Sequence, residues 1–232
     1  WLKLGGFSEM SVTLTDLRCE YLRNPLGIDQ LAPRLSWQLQ SDARAQKQTA
    51  YQILVASAMD LLAADQADLW DSGKVCSDQC VHVEYAGRTL QSREKCYWKV
   101  RVWDNRGMVS PYSEAAWWEM GLLQPADWIG RWISGPQFGP RSVEGVCRAP
   151  LFRKAFALDR KVKSARVYIS GLGYYELHIN GERIGDHRLD PIFTRYDKRA
   201  LYTTYDVTDA VQEGDNAVGV ILGNGFYNQA VP

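Results

Sequence analysis

Several features that would assign a function at once are missing from this 232-residue sequence. Net charge is absent: Lys plus Arg and Asp plus Glu stand at 27 each, scattered along the chain, so no basic face that could neutralise phosphates emerges and nucleic acid is not an expected partner. No apolar run approaches the roughly 18–20 residues of a membrane span, and no basic, apolar and small-residue leader opens the chain, so no membrane partner is expected. A leader cleaved ahead of Trp1 would leave no trace. There is no Gly-x-Ser-x-Gly elbow, no His-Glu-x-x-His pair, no phosphate-binding loop and no dinucleotide fingerprint, so the commonest enzyme classes gain no support. The five cysteines, at 19, 76, 80, 96 and 147, are odd in number and form no paired Cys-x-x-Cys knuckles. That usage favours a reducing compartment, the cytoplasm, and without a nearby His pair Cys76 and Cys80 read as free, half-buried thiols rather than metal ligands.

What is present is an ordinary globular composition, 46% hydrophobic and 23% charged, with nine Trp and twelve Tyr. In β proteins such aromatics fill sandwich cores first, although they also form faces on which sugar rings stack. The pattern up to residue 122 is one of short strands with turns between them: 12–20, 34–40, 50–57, 69–75, 80–85, 96–104 and 115–121, with one helical turn at 59–67. Seven short strands predict a fibronectin-type or immunoglobulin-type sandwich. Cys96, Trp98, Val100 and Val102 alternate with Tyr97, Lys99 and Arg101, which points Trp98 into the core. Leu90 lies six residues before Cys96, in the slot where such sandwiches carry a corner tyrosine, so that corner bond is expected to be missing.

A Gly/Pro-rich stretch follows Pro125, and the domain boundary is placed there, giving domains 1–124 and 125–232. Strand patterns resume at 151–158, 164–170, 174–180, 182–184, 200–207 and 216–222. Asn180-Gly181 predicts a type I′ hairpin turn, because both central residues then need positive φ. With only about six strands written before Pro232, this second sandwich reads as incomplete. Its open edges would favour aggregation, early melting or association into a homo-oligomer.

These residues resemble the N-terminal region of bacterial α-L-rhamnosidases. The resemblance is carried in the first part by Leu17-Arg18-Cys19-Glu20-Tyr21, Asn24-Pro25-Leu26-Gly27-Ile28, Pro33-Arg34-Leu35-Ser36-Trp37, Trp70-Asp71-Ser72-Gly73-Lys74 and Tyr97-Trp98-Lys99-Val100. In the second part it is carried by Phe152-Arg153-Lys154-Ala155-Phe156, Gly171 to Gly181 and Tyr205-Asp206-Val207-Thr208. The resemblance implies an all-β chain of two consecutive β-sandwiches, fibronectin-like and then jelly-roll-like. It also implies a downstream helical barrel as partner, where two acidic groups remove terminal L-rhamnose from glycosides with inversion. This chain is therefore expected to be inactive alone; the alternative is a free-standing carbohydrate-binding or adhesion module. Some members of the family are exported, so export is the alternative to the cytoplasm.

Glu176, Asp186, Asp190, Asp197 and Asp206 are carboxylates in the second part, and turn capping or solvation accounts for each; Asp206 and Thr208 in particular read as backbone caps. In some α-L-rhamnosidases the equivalent domain holds rhamnose with calcium, which takes oxygen ligands. On that resemblance the candidates for binding rhamnose-containing glycosides, with calcium as the only cofactor considered, are Asn180, Asn224, Asn228 and, as stacking face, Tyr227. Asn180 is also explained by its hairpin and Asn224 by its flanking glycines.

Overall fold

The structure, a computed structural model, describes residues 12–135, 150–223 and 225–227. The chain divides into two units, Trp1–Trp128 and Ile129–Pro232, and in each the described strands pair into antiparallel sheets. In the first, β1 (Thr13–Cys19), β2 (Arg34–Gln40), β3 (Gln48–Ala56), β4 (Trp70–Asp71), β5 (Val83–Glu84), β6 (Lys95–Asp104) and β7 (Ala116–Glu119) form two sheets, ordered β1-β2-β5 and β4-β3-β6-β7. A single helical turn, α1 (Met59–Ala63), joins β3 to β4.

Alternation decides which side of each strand is core. On β6, Cys96, Trp98, Val100 and Val102 are buried while every second residue stays half-buried, as the sequence predicts. They meet Leu35 and Trp37 of β2 and Ile53 and Val55 of β3 in one cluster spanning both sheets. The outer face of β6 is aromatic as well as charged: Lys95 lies 4.1 Å from the Trp117 ring and Arg101 4.8 Å from that of Tyr112, so cation stems cover the rings.

The segments that carry the family resemblance act as clamps. Asp71 accepts from Gly73 N and Gln52 Nε2, both at 2.8 Å, while Ser72 Oγ accepts from Ile53 N at 2.8 Å. Glu20 accepts from the backbone and guanidinium of Arg34. Strands 69–75 and 80–85 of the sequence reading shrink to the two-residue β4 and β5, because side chains and isolated bridges such as Tyr51–Val75 replace ladder bonds there. Position 96 carries no corner tyrosine, yet a corner bond exists. Tyr85 Oη donates to the carbonyls of Arg88 (2.9 Å) and Leu69 (3.2 Å) from the neighbouring β5 end.

The first unit ends on a 3-10 turn, Pro125–Asp127. Asp127 accepts from Gln124 N and Ser92 Oγ, which ties this segment back to the first sandwich and carries the unit past residue 124 to Trp128.

The second unit comprises β8 (Leu151–Leu158), β9 (Arg166–Ile169), β10 (Tyr174–Ile179), β11 (Glu182–Arg183), β12 (Thr203–Asp206) and β13 (Gly214–Gly223). A four-stranded sheet runs β11-β10-β13-β8 and a two-stranded one β12-β9. Asn180 (φ 52°) and Gly181 (φ 89°) make the β10–β11 turn that the sequence predicts. Tyr175, Leu177, Ile179 and Val207 are the buried apolar residues described in this unit, whereas Phe152, Phe156, Val218 and Val220 stay half-exposed.

Candidate functional site

Asn180 is fixed by its own side chain. Its amide nitrogen donates to Ala210 O (3.0 Å) and Asn216 Oδ1 (2.9 Å), and its oxygen accepts from Ala217 N (2.9 Å). Buried Asn216 continues the clamp, donating to the carbonyls of Gln212 and Gly214. Tyr227 belongs elsewhere. Because β10 pairs with β13 from Ile179–Val218 to Tyr174–Gly223, Asn180 sits beyond one end of this strand pair and Tyr227 beyond the other, roughly 17 Å of strand apart. The fold therefore does not bring Asn180 and Tyr227 together, and Asn224 and Asn228 lie outside the described residues.

Calcium would need six to eight oxygens around it. The side-chain oxygen of Asn180 already faces a donor, Ala217 N, and among the described residues no group of three His, Cys, Asp or Glu side chains stands together. Asn180 does not fit such a site.

The carboxylates are mostly engaged in local structure. Asp206 accepts from Thr208 N (3.0 Å) and Oγ1 (2.6 Å) and pairs with Arg166 (2.8 Å). Thr208 Oγ1 in turn accepts from Ala165 N. Asp197 takes both prongs of Arg195, and Glu176 lies between His178 (3.6 Å) and Arg183 (3.8 Å). Asp186 points into solvent. Asp190 gathers the most. Its carboxylate meets His187 Nδ1 at 2.8 Å and accepts from Tyr205 Oη at 3.2 Å, while Tyr205 Oη stands 3.3 Å from Tyr175 Oη. Burial pushes the Tyr205 hydroxyl well above the usual phenol range, and the hydrogen bond with Tyr175 adds to it, so both phenols stay protonated at ordinary pH.

That loop presents an aromatic cluster. Phe193 packs against Phe226 (4.9 Å between ring centres) and Tyr196 (5.5 Å), and Tyr196 against Tyr227 (5.5 Å, 83° between planes). Residues 225–227 reach the loop only because Gly225 has φ 51° and lies so close to Gly173 that a Cβ would come 2.8 Å from its Cα. Phe193, Phe226 and Tyr227 remain 52–54% exposed, with Ile192 and Leu189 exposed beside them in sequence. Sequence reasoning found Tyr227 alone. Its partners come from a loop without strand alternation, where the one available signal was the apolar pair Ile192-Phe193 among turn residues.

Comparison with known proteins covers both units. Residues 14–124 match the family described as Rha78A-like, N-terminal immunoglobulin domain, and residues 160–232 match the alpha-L-rhamnosidase N-terminal domain. An alpha-L-rhamnosidase of Formosa agariphila is 41% identical over 226 residues, 90% of this chain and 24% of that protein. One from Alteromonas sp. is 36% identical over 88% of this chain and 23% of its own length. Among solved structures, the alpha-L-rhamnosidase of Dictyoglumus thermophilum superposes with a TM-score of 0.86 at 44% identity, over 93% of this chain and 25% of that one. That of Aspergillus terreus gives 0.78 at 34%, over 94% and 24%. The chain thus spans about a quarter of the length of the relatives it matches.

Proposed function

Since the chain joins a Rha78A-like N-terminal immunoglobulin domain to an alpha-L-rhamnosidase N-terminal domain, we propose that it is the non-catalytic β-sandwich region of a glycoside hydrolase that removes terminal α-L-rhamnose from glycosides. Its role in this reading is to fold ahead of the downstream catalytic domain and hold it in place. The observation that carries the proposal is the extent of the match: nearly all of this chain aligns with only about a quarter of each relative. Of the carboxylates in the second unit, Asp190, Asp197 and Asp206 are held in caps or ion pairs.

The test is hydrolysis of p-nitrophenyl α-L-rhamnoside by the 232-residue chain beside the chain extended to the end of its gene. Activity in the extended chain alone is the expected result. Turnover by the 232-residue chain would overturn the non-catalytic assignment, and an extended chain inert toward rhamnosides would overturn the substrate.

A further inference from the structure

The last segment of the first unit, residues 122–128, is fastened by hydrogen bonds more than by packing. Sheet-like bonding ends just before it, where Met120 N donates to Glu94 O (2.8 Å) and Gly121 N to Ile28 O (2.7 Å). Beyond Gly121, residues Gln124, Pro125, Ala126 and Trp128 are exposed, and Leu123 is only partly buried against the core cluster. What holds the segment is the turn ahead of β6. Ser92 Oγ accepts from Leu123 N at 2.8 Å and donates to Asp127 Oδ2, the same oxygen that accepts from Gln124 N at 2.9 Å. Arg93 adds two bonds, from its backbone N to Gly121 O (3.0 Å) and from its guanidinium to Asp127 O (2.9 Å). It makes them at φ 65°, a left-handed conformation that residues other than glycine adopt only at a cost.

Two consequences follow from this construction. The bonds converge on very few atoms, since Ser92 Oγ and Asp127 Oδ2 each serve two of them, so losing either side chain releases the segment at several points together. A stretch with few buried apolar contacts and hydrogen bonds close to solvent also opens at lower free energy than the core strands, without unfolding the domain. The second consequence concerns reach. With the segment held, the chain leaves the first unit after Trp128, where the boundary between the units falls. With it released, the chain leaves after Gly121, and residues 122–128 add about 23–25 Å of slack at full extension.

We propose that residues 122–128 are a releasable strap, closed by Ser92, Arg93 and Asp127, that sets where the connector to the second unit begins: at Ile129 when the strap is closed and at Leu122 when it is open. Ser92 and Asp127 are the positioning residues of this device. All of these contacts lie within the first unit, so nothing in the strap depends on the activity of a longer protein.

Native-state hydrogen exchange of the 232-residue chain at low urea tests this. Peptides covering 122–128 are expected to exchange at least about ten-fold faster than those of β3 and β6 and to respond little to urea below the unfolding transition, the mark of a local opening. Asp127→Ala and Ser92→Ala are each expected to speed exchange at 122–128 by about ten-fold again while β3 and β6 stay within about two-fold. The same variants are expected to raise the maximum dimension in small-angle X-ray scattering by up to roughly 20 Å. Asp127→Asn keeps a side-chain oxygen for Ser92 Oγ and Gln124 N, so its exchange at 122–128 is expected to stay within about three-fold of the parent. Exchange of 122–128 only through the global unfolding that exposes β6 overturns the strap. Loss of β6 protection in parallel with 122–128 in Asp127→Ala and Ser92→Ala also overturns it, because the two residues are then general stabilisers. Faster exchange with no gain in dimension overturns the role of the strap in setting the connector, and an Asp127→Asn variant as loose as Asp127→Ala overturns the role given to the shared oxygen.

Discussion

Single residues hold this fold at points where backbone, not side-chain volume, is the problem. Tyr85 bridges two loops through one hydroxyl, which burial pushes up to about 12 in pKa, so it remains a donor at any ordinary pH. Gly87 makes room for it: a Cβ there would overlap the Leu69 carbonyl and come 2.5 Å from Tyr85 Oη. Gly87→Ala is expected to cost about 1–3 kcal/mol by overpacking, and Tyr85→Phe about 1–2 kcal/mol by removing the donor to two carbonyls, both read as shifts in the urea midpoint. At Asn180, Asp keeps the acceptor for Ala217 N but sets a carboxylate against Ala210 O and Asn216 Oδ1. Asn180→Asp should therefore lower stability at pH 7 by about 1–3 kcal/mol, read as a shift in the urea midpoint.

The ion pair of Glu20 with Arg34 gives a signed pH dependence. Side-chain hydrogen bonds from Arg34 hold the Glu20 carboxyl below its usual value, overcoming the effect of burial. A depressed folded pKa means that the stabilisation is present above the unfolded value of about 4.3 and is lost as pH falls through the lower folded one. Arg34→Met should flatten the dependence of the urea midpoint on pH below about 5. For thiols, burial pushes Cys19 and Cys96 upward, so iodoacetamide at pH 8 is expected to label exposed Cys76 first and to reach Cys19 and Cys96 only on unfolding, as mapped by peptide mass.

Elements show where the sequence is readable. β6 could be drawn from its alternation alone, because one strand face meets the core along ten residues, and β8 and the Asn180-Gly181 hairpin follow from equally local rules. Trp98→Ala should therefore behave as a full core truncation, costing about 3–5 kcal/mol in a denaturant titration. β4 and β5 were overdrawn because their neighbours are satisfied by side chains such as Ser72 and Tyr85, which no alternation records. Of the carbohydrate-binding candidates, Asn180 and Tyr227 stand apart for a related reason. Asn180 and Tyr227 carry the right chemistry, but their places at opposite ends of β10 and β13 depend on the register of that pair, and the partners of Tyr227 depend on a loop more than thirty residues away.

At the scale of the whole molecule the two units are unequal. Leaving proline and glycine aside, twenty-four buried apolar residues are described in the first and four in the second, whose described strands form one four-stranded and one two-stranded sheet. On heating, the second unit should lose protection first, leaving a first unit that resists trypsin and ends near Arg131; one sharp transition for the whole chain would contradict this. The pairing of β8 with β13 has a further consequence, in time. More than fifty residues separate Leu158 from Gly214, so on the ribosome, at about 5–20 residues per second, β8 waits several seconds for β13, its one neighbour among the described strands. During that interval β8 is an unclaimed strand edge that a chaperone can hold.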